Sequence, residues 1–186
     1  ELDPAAVPSF SITPDIHPDE NSGTLGRNFL TWLWQYQEDH NGALPPSKLG
    51  DFSFLLDGPL AFVAEGAGAF ETSVKKGLPT ISAEAKAALT TGKKLKSAKI
   101  IIARSEGDEW SFTLDADEFI FRGMKLPEGE ALDPISIFEE RMTNIFIVQS
   151  VFFGLYQKFL AEMTDENKAK EYQQKAREWV KNREAK

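Results

Sequence analysis

The 186-residue chain contains no cysteine, which removes disulfides, thiolate zinc sites and cysteine nucleophiles together. That is compatible with a reducing compartment, and a cytoplasmic location is expected. Only two histidines are present, His17 and His40, so a multi-histidine metal site is ruled out. A Ser-His-Asp triad would have to be built on His40. Long apolar runs are also missing. The longest stretch without a charge, Met142 to Gln157, is shorter than the roughly 20 residues a bilayer span needs and carries Thr143, Asn144, Gln149 and Ser150. No membrane partner is expected. A glycine-rich phosphate cradle is lacking too: Gly66-Ala67-Gly68 has no third glycine and no helix with an apolar period after it.

What is present is apolar material for one real core, with 41% hydrophobic residues, 14 Phe and 4 Trp. Residues 1–24 read as an extended or disordered leader, acidic and interrupted by Pro4, Pro8, Pro14 and Pro18, and unlike a signal peptide. Residue 1 is Glu rather than Met, as expected of a fragment or trimmed chain. Residues 25–186 read as a single α+β domain with C-terminal helices.

The pattern predicts a first helix from Leu25 to Glu38, capped by Thr24 and stopped by Asn41-Gly42. Its Phe29, Leu30, Trp32, Leu33, Trp34 and Tyr36 cover much of its circumference, so it should bury more than one face. Strands are predicted at Phe52–Leu56 and Leu60–Glu65, with Asp57-Gly58-Pro59 as a hairpin signal between them, and at Phe70–Lys76. Ser82 should cap a short Ala-rich helix ending at Gly92. A meander of Leu95–Arg104, Trp110–Asp115 and Glu118–Met124 follows, in which Trp110, Phe112 and Leu114 alternate with Ser111, Thr113 and Asp115. Pro134 then opens a long apolar helix to about Met163, and Thr164 is placed to cap a charged final helix. The fold class is α+β: an antiparallel sheet meander with packed helices and a long apolar helix near the C-terminus. That long helix is either central in the core or carries a second face that is a subunit interface.

Charge supplies the one functional signal. The chain carries a net −8, yet residues 75–104 hold eight basic residues against Glu84 alone, a net +7, which leaves −15 elsewhere. A positive field on a polyanion is the footprint of a surface for another polyanion, and a solvated basic face is the ordinary alternative. Lys75-Lys76 and Lys93-Lys94 sit at loop–element junctions, from which lysines contact backbone phosphates without reading sequence. Simple alternation puts Lys94, Lys96 and Arg104 on one side of their strand with Ile100 and Ile102. Few aromatics interleave these lysines, which favours backbone contact over base stacking. Asp115, Asp117 and Glu118 read as an Asp-rich strand-to-strand turn rather than a magnesium site. No nucleophile pairs with a base at readable spacing, so a non-enzymatic protein without cofactor or metal is expected.

Four stretches taken in order, LGRNFLTWLW, KKGLPTISAEAKAALTTGKKLKSAKIII, EWSFTLDADEFIFRGMKL and RMTNIFIVQSVFFGLYQKFL, make the chain resemble the C-terminal half of the RdgC-type recombination-associated proteins. The likeness covers roughly residues 25–163. It implies a bacterial protein that binds duplex DNA with little sequence preference, forms a ring-shaped homodimer and modulates recombination. It also implies that Lys75 and Lys76 are phosphate contacts, with Lys93 at the Gly-Lys position as a further one, and that the protein is associated with the nucleoid; the charge pattern adds Lys94 and Lys96 to the expected DNA-binding set. The family's N-terminal half is expected to be missing here or replaced by the short leader, and the chain is acidic overall. A non-catalytic interaction or assembly module that has lost DNA binding is therefore the second expectation, and a nuclease the third.

Overall fold

A computed structural model describes residues 22–64, 71–74 and 82–184. Its elements run α1 (Ser22–His40), β1 (Phe52–Val63), β2 (Glu71–Val74), α2 (Ala83–Thr90), β3 (Lys94–Arg104), β4 (Glu109–Asp115), β5 (Ile120–Lys125), α3 (Pro134–Thr164) and α4 (Glu166–Glu184). The five strands form one antiparallel sheet in the order β2-β1-β3-β4-β5, so β3, β4 and β5 make the expected meander. The α+β class is observed as read from the sequence.

The expected hairpin at Asp57-Gly58-Pro59 does not form. Both halves of β1 pair with the same strand, Leu56 opposite Ile100 and Leu60 opposite Ala98, so Gly58 and Pro59 are two extra residues within one continuous strand. Proline has no N–H to give a ladder, and a bulge tolerates it where a central strand position would not. The bulge keeps Leu56 and Leu60 on one side, and every one of Phe52, Phe54, Leu56, Leu60 and Phe62 is buried. They share the inner face with Leu95, Ala98, Ile100 and Ile102 of β3 and with Trp110, Phe112 and Leu114 of β4.

Helix α1 lies on that inner face and buries Phe29, Leu30, Trp32, Leu33, Trp34 and Tyr36, as its apolar circumference requires. It starts at Ser22, so Thr24 is inside the helix rather than its cap. It ends where Asn41 and Gly42 take positive φ. Phe29 is its centre: its ring meets Trp32, Phe119, Phe152, Tyr156 and Phe159, which ties α1 to the β4–β5 turn and to α3. The Arg27 guanidinium adds a bidentate pair to the Asp117 carboxylate at 2.6 and 2.8 Å.

Asp133 caps α3, accepting from the amides of Ile135 and Ser136. One face of α3 buries Val148, Phe152, Leu155 and Phe159. Helix α4 is capped by Asp165 rather than Thr164, whose hydroxyl instead donates back to Leu160 O. Although α4 is highly charged, it is fastened to α1 by one carboxylate. Glu38 accepts from the indole N–H of Trp34 at 2.9 Å and of Trp179 at 2.7 Å, and the two indoles meet edge to face.

The approach of α1 to the β4–β5 turn sets a steric limit. A Cβ at Gly26 would overlap the backbone carbonyl of Ala116, which has no freedom to move aside. Gly26→Ala should therefore lower stability by about 1–3 kcal/mol, although a helix-interior alanine normally gains about 1 kcal/mol over glycine. Urea unfolding followed by tryptophan fluorescence measures this, and an unchanged or raised midpoint would contradict the contact.

Candidate nucleic-acid interface

The described part of the basic segment is built on β3, and a β-bulge decides which way its lysines point. Ala61 pairs with Ser97, but the next residue, Phe62, pairs with Leu95, so Lys96 is an extra residue in β3. The bulge reverses the alternation. Leu95 is buried with Ala98, Ile100 and Ile102, while Lys94, Lys96 and Lys99 stay partly exposed on the outer side. The parity read from the sequence, which joined Lys94 and Lys96 to Ile100 and Ile102, is thus overturned. Simple alternation cannot count an extra residue that only the pairing with β1 reveals.

Arg104 stays with the inner set, at the sheet's end. Its guanidinium sits 5.2 Å from the Phe52 ring centre and 5.6 Å from that of Trp110, and it pairs with Asp108 at 3.1 Å. Its side chain is therefore spent inside the protein. Lys93 shares the parity of Leu95 and donates to the Thr72 hydroxyl at 2.6 Å. Lys96 reaches Glu71 of β2 at 3.2 Å, and Lys99 reaches Asp57 of β1 at 3.1 Å. The structure brings Lys94 and Lys96 together on the outer face and leaves Lys93 on the other side of the strand. Lys75 and Lys76 lie outside the described residues.

Two cations that sequence reasoning missed belong to this outer face. Arg122 pairs in register with Thr113, and Lys125 with Ser111, and both are exposed. Cross-strand rows result: Asp57, Lys99, Thr113, Arg122 in one, and Leu55, Ile101, Ser111, Lys125 in the next. The signal was present in the alternation of Trp110, Phe112 and Leu114 with Ser111, Thr113 and Asp115, because whatever pairs opposite the polar set shares its side. Arg122 is held by Asp115 at 3.3 Å and Glu118 at 2.6 Å. Asp115 Oδ1 also accepts from the amides of Asp117 and Glu118, so these three carboxylates build a turn and hold Arg27 and Arg122. The more exposed pairs, Lys96–Glu71, Lys99–Asp57 and Arg122–Glu118, contribute little to stability, about 0–1 kcal/mol each, and their carboxylates can be exchanged for another anion at small cost.

On the helical side, α1, α3 and α4 border a cleft of about 400 Å³ lined by Trp32, Tyr36, Lys158, Glu162, Tyr172 and Lys175 among others. The ammonium of Lys158 stands 4.6 Å from the centre of the Tyr36 ring, and Glu162 accepts from the Trp32 indole at 2.8 Å. These polar groups are occupied by one another. Among the described residues no group of three or more His, Asp and Glu is arranged to hold a metal ion, and no helix is long and apolar enough to cross a membrane.

With this geometry in hand, comparison of the chain with models of protein families, with curated proteins and with solved structures finds no match.

Burial, and secondarily the Glu162 carboxylate, hold the Tyr172 phenol above its usual ionisation range. The unfolded chain ionises this group near pH 10, while the folded protein keeps it neutral, so its contribution is complete below about pH 10 and is lost as pH rises above that. Tyr172→Phe should make the melting temperature fall less steeply between about pH 10 and 12. A pH series of thermal melts checks this, and an unchanged alkaline slope would refute it.

Proposed function

We propose that the protein is a non-enzymatic, sequence-independent DNA-binding protein of the RdgC-like type, acting on duplex DNA in recombination. The observation that carries this reading is the collection of Lys94, Lys96, Lys99, Arg122 and Lys125 on one solvent-facing side of an antiparallel sheet. A flat array of cations on rigid strands, without interleaved aromatics, suits phosphate contact rather than base readout. Lys75 and Lys76, the pair that the resemblance singles out, would extend the array, whereas Lys93 stands on the other side of β3 with its ammonium on the Thr72 hydroxyl. The likeness in motif order supports the same reading. A bacterial, nucleoid-associated location and a homodimer follow from it.

A second reading has its own support. Lys96, Lys99 and Arg122 already face Glu71, Asp57, Asp115 and Glu118, so the local field is weaker than the net +7 of the segment implies. An assembly module that has kept the fold and lost the ligand would look like this. Its signature is a dimer without salt-dependent affinity for nucleic acid.

Fluorescence anisotropy with a generic duplex separates the two. The DNA reading expects binding at about 50 mM salt and a slope of log affinity on log salt of about −3 to −5, set by about 0.9 per phosphate neutralised. Lys75→Glu with Lys76→Glu should abolish binding and leave the circular dichroism spectrum unchanged, and Lys125→Ala should flatten the slope by about 0.9. Absence of binding at low salt would retire the DNA reading in favour of the assembly module.

A further inference from the structure

Helix α3 buries one apolar stripe and leaves a second along its flank. Beside Val148, Phe152 and Phe159 runs a row that begins at Tyr156 and continues through Phe153, Phe146, Met142, Phe138 and Ile135, at helical spacings of three, four or seven residues. Ile135 is 72% exposed, Phe138 64%, and Phe146 and Phe153 are 59% each. Single exposed apolar residues are ordinary, but four along one flank form a patch. At about 200 Å² for each such side chain, their exposed parts come to about 500 Å².

The way α1 crosses α3 shows what is attached beside this row. Near the start of α1, the Phe29 ring meets Tyr156 at 5.1 Å, and a Cβ on Gly26 would come within 3.3 Å of Phe119, whose ring lies 4.9 Å from Tyr156. Further along, Trp32 donates to Glu162, and the Tyr36 ring carries the Lys158 ammonium. By the helical period, Lys158 and Glu162 stand on the flank of α3 away from Phe146 and Phe153. Helix α1 therefore comes in over the flank that holds the exposed row and leaves over the other. Its first residue, Ser22, precedes Gly26 by about 6 Å of helix, which roots the preceding chain at the Tyr156 end of the row.

The sequence before Ser22 matches what the row lacks. Residues 1–21 lie outside the described structure. They carry Phe10, Ile12 and Ile16 and have no Lys or Arg. From Ser22 a chain reaches back up to about 20 Å by Ile16 and about 40 Å by Phe10. The row from Tyr156 to Phe138 is about 27 Å long. Ile16 can thus lie against Phe153, and Ile12 and Phe10, which share one side of an extended segment, against Phe146 and Phe138. From Met142 to Gln157 the helix has no charge, so the acids of the leader meet no carboxylate there. A segment already tethered beside the row acts at an effective concentration in the millimolar range, which a separate partner has to match.

We infer that the leader is a strap: residues 10–16 lie along the exposed flank of α3 and cover Phe138, Phe146 and Phe153 of their own chain. This stands independently of the DNA reading, because it uses neither the outer sheet face nor its cations.

The chain has no cysteine, so thiol pairs can be installed without interference. In the full chain, Ser11→Cys with Gln149→Cys should oxidise to an internal disulfide at least about tenfold faster than Ser11→Cys with Glu118→Cys, as read by mass spectrometry of the digested protein. Glu118 adjoins Phe119 at the root, so an unattached leader would find it at least as often as Gln149. Adding Phe146→Ser and Phe153→Ser should bring the first rate down to the second and leave the circular dichroism spectrum unchanged. Equal rates for the two pairs, or a fast rate that survives both serines, would overturn the strap. A disulfide that joins two chains instead of closing one would overturn it as well, and would assign the flank to a second copy. Duplex binding measured by anisotropy does not enter these rates, so the strap and the DNA reading fail separately.

Discussion

The fold hangs on one ring. Phe29, fully buried, touches five other aromatics drawn from its own helix, from the turn between β4 and β5, and from α3. Each such pair adds about 0.5–1.5 kcal/mol beyond its share of buried area, and a cluster adds them at one place. The contact is possible only because Gly26, one turn earlier, lets α1 come down onto the carbonyl of Ala116. From there the other constraints follow. Arg27 can reach Asp117, Trp34 can present its indole to Glu38, and Glu38 can hold Trp179 of a helix that has little apolar surface of its own.

The sheet is shaped by two irregularities with opposite effects. In β1 the pair Gly58-Pro59 is set aside so that the apolar residues on either side stay on the inner face. In β3 the extra residue Lys96 shifts the alternation so that Leu95 turns in and Lys94 stays out. Both preserve burial at the expense of regular pairing; in β3, alternation without the extra residue would have exposed Leu95 and turned the Lys94 ammonium inward. The outer surface inherits the consequence. Lysines contributed by β3 are joined by Arg122 and Lys125 of β5, and acids contributed by β1, β2 and the β4–β5 turn come to lie among them. A polyanion and the protein's own carboxylates compete for the same cations, so ionic strength and phosphate density decide between them.

Much of this was legible in the chain. The apolar circumference of α1, the clean alternation of Trp110, Phe112 and Leu114, and the caps Ser82 and Asn41-Gly42 each specify an element through local physics, and each element is present. The hairpin at Asp57-Gly58-Pro59 was misread because glycine and proline mark a turn and a bulge equally well. Only the pairing of both flanks with β3 tells them apart. The lysine parity was misread for the same kind of reason, since a bulge is a property of two strands. Arg122 and Lys125 went unnoticed because, in sequence, they stand outside the basic segment.

By itself, the sequence determined the helices and the meander, the α+β class, the reversal of charge at 75–104 and the surplus of apolar surface on the long helix. These depend on period, capping and composition, which act within a few residues. Tertiary structure alone decided which side of β3 its lysines face, which carboxylates meet them, and which of the two apolar faces of α3 the core would take. Those outcomes turn on register and packing between segments far apart in the chain, where one extra residue in a strand or one missing Cβ on a helix changes the answer.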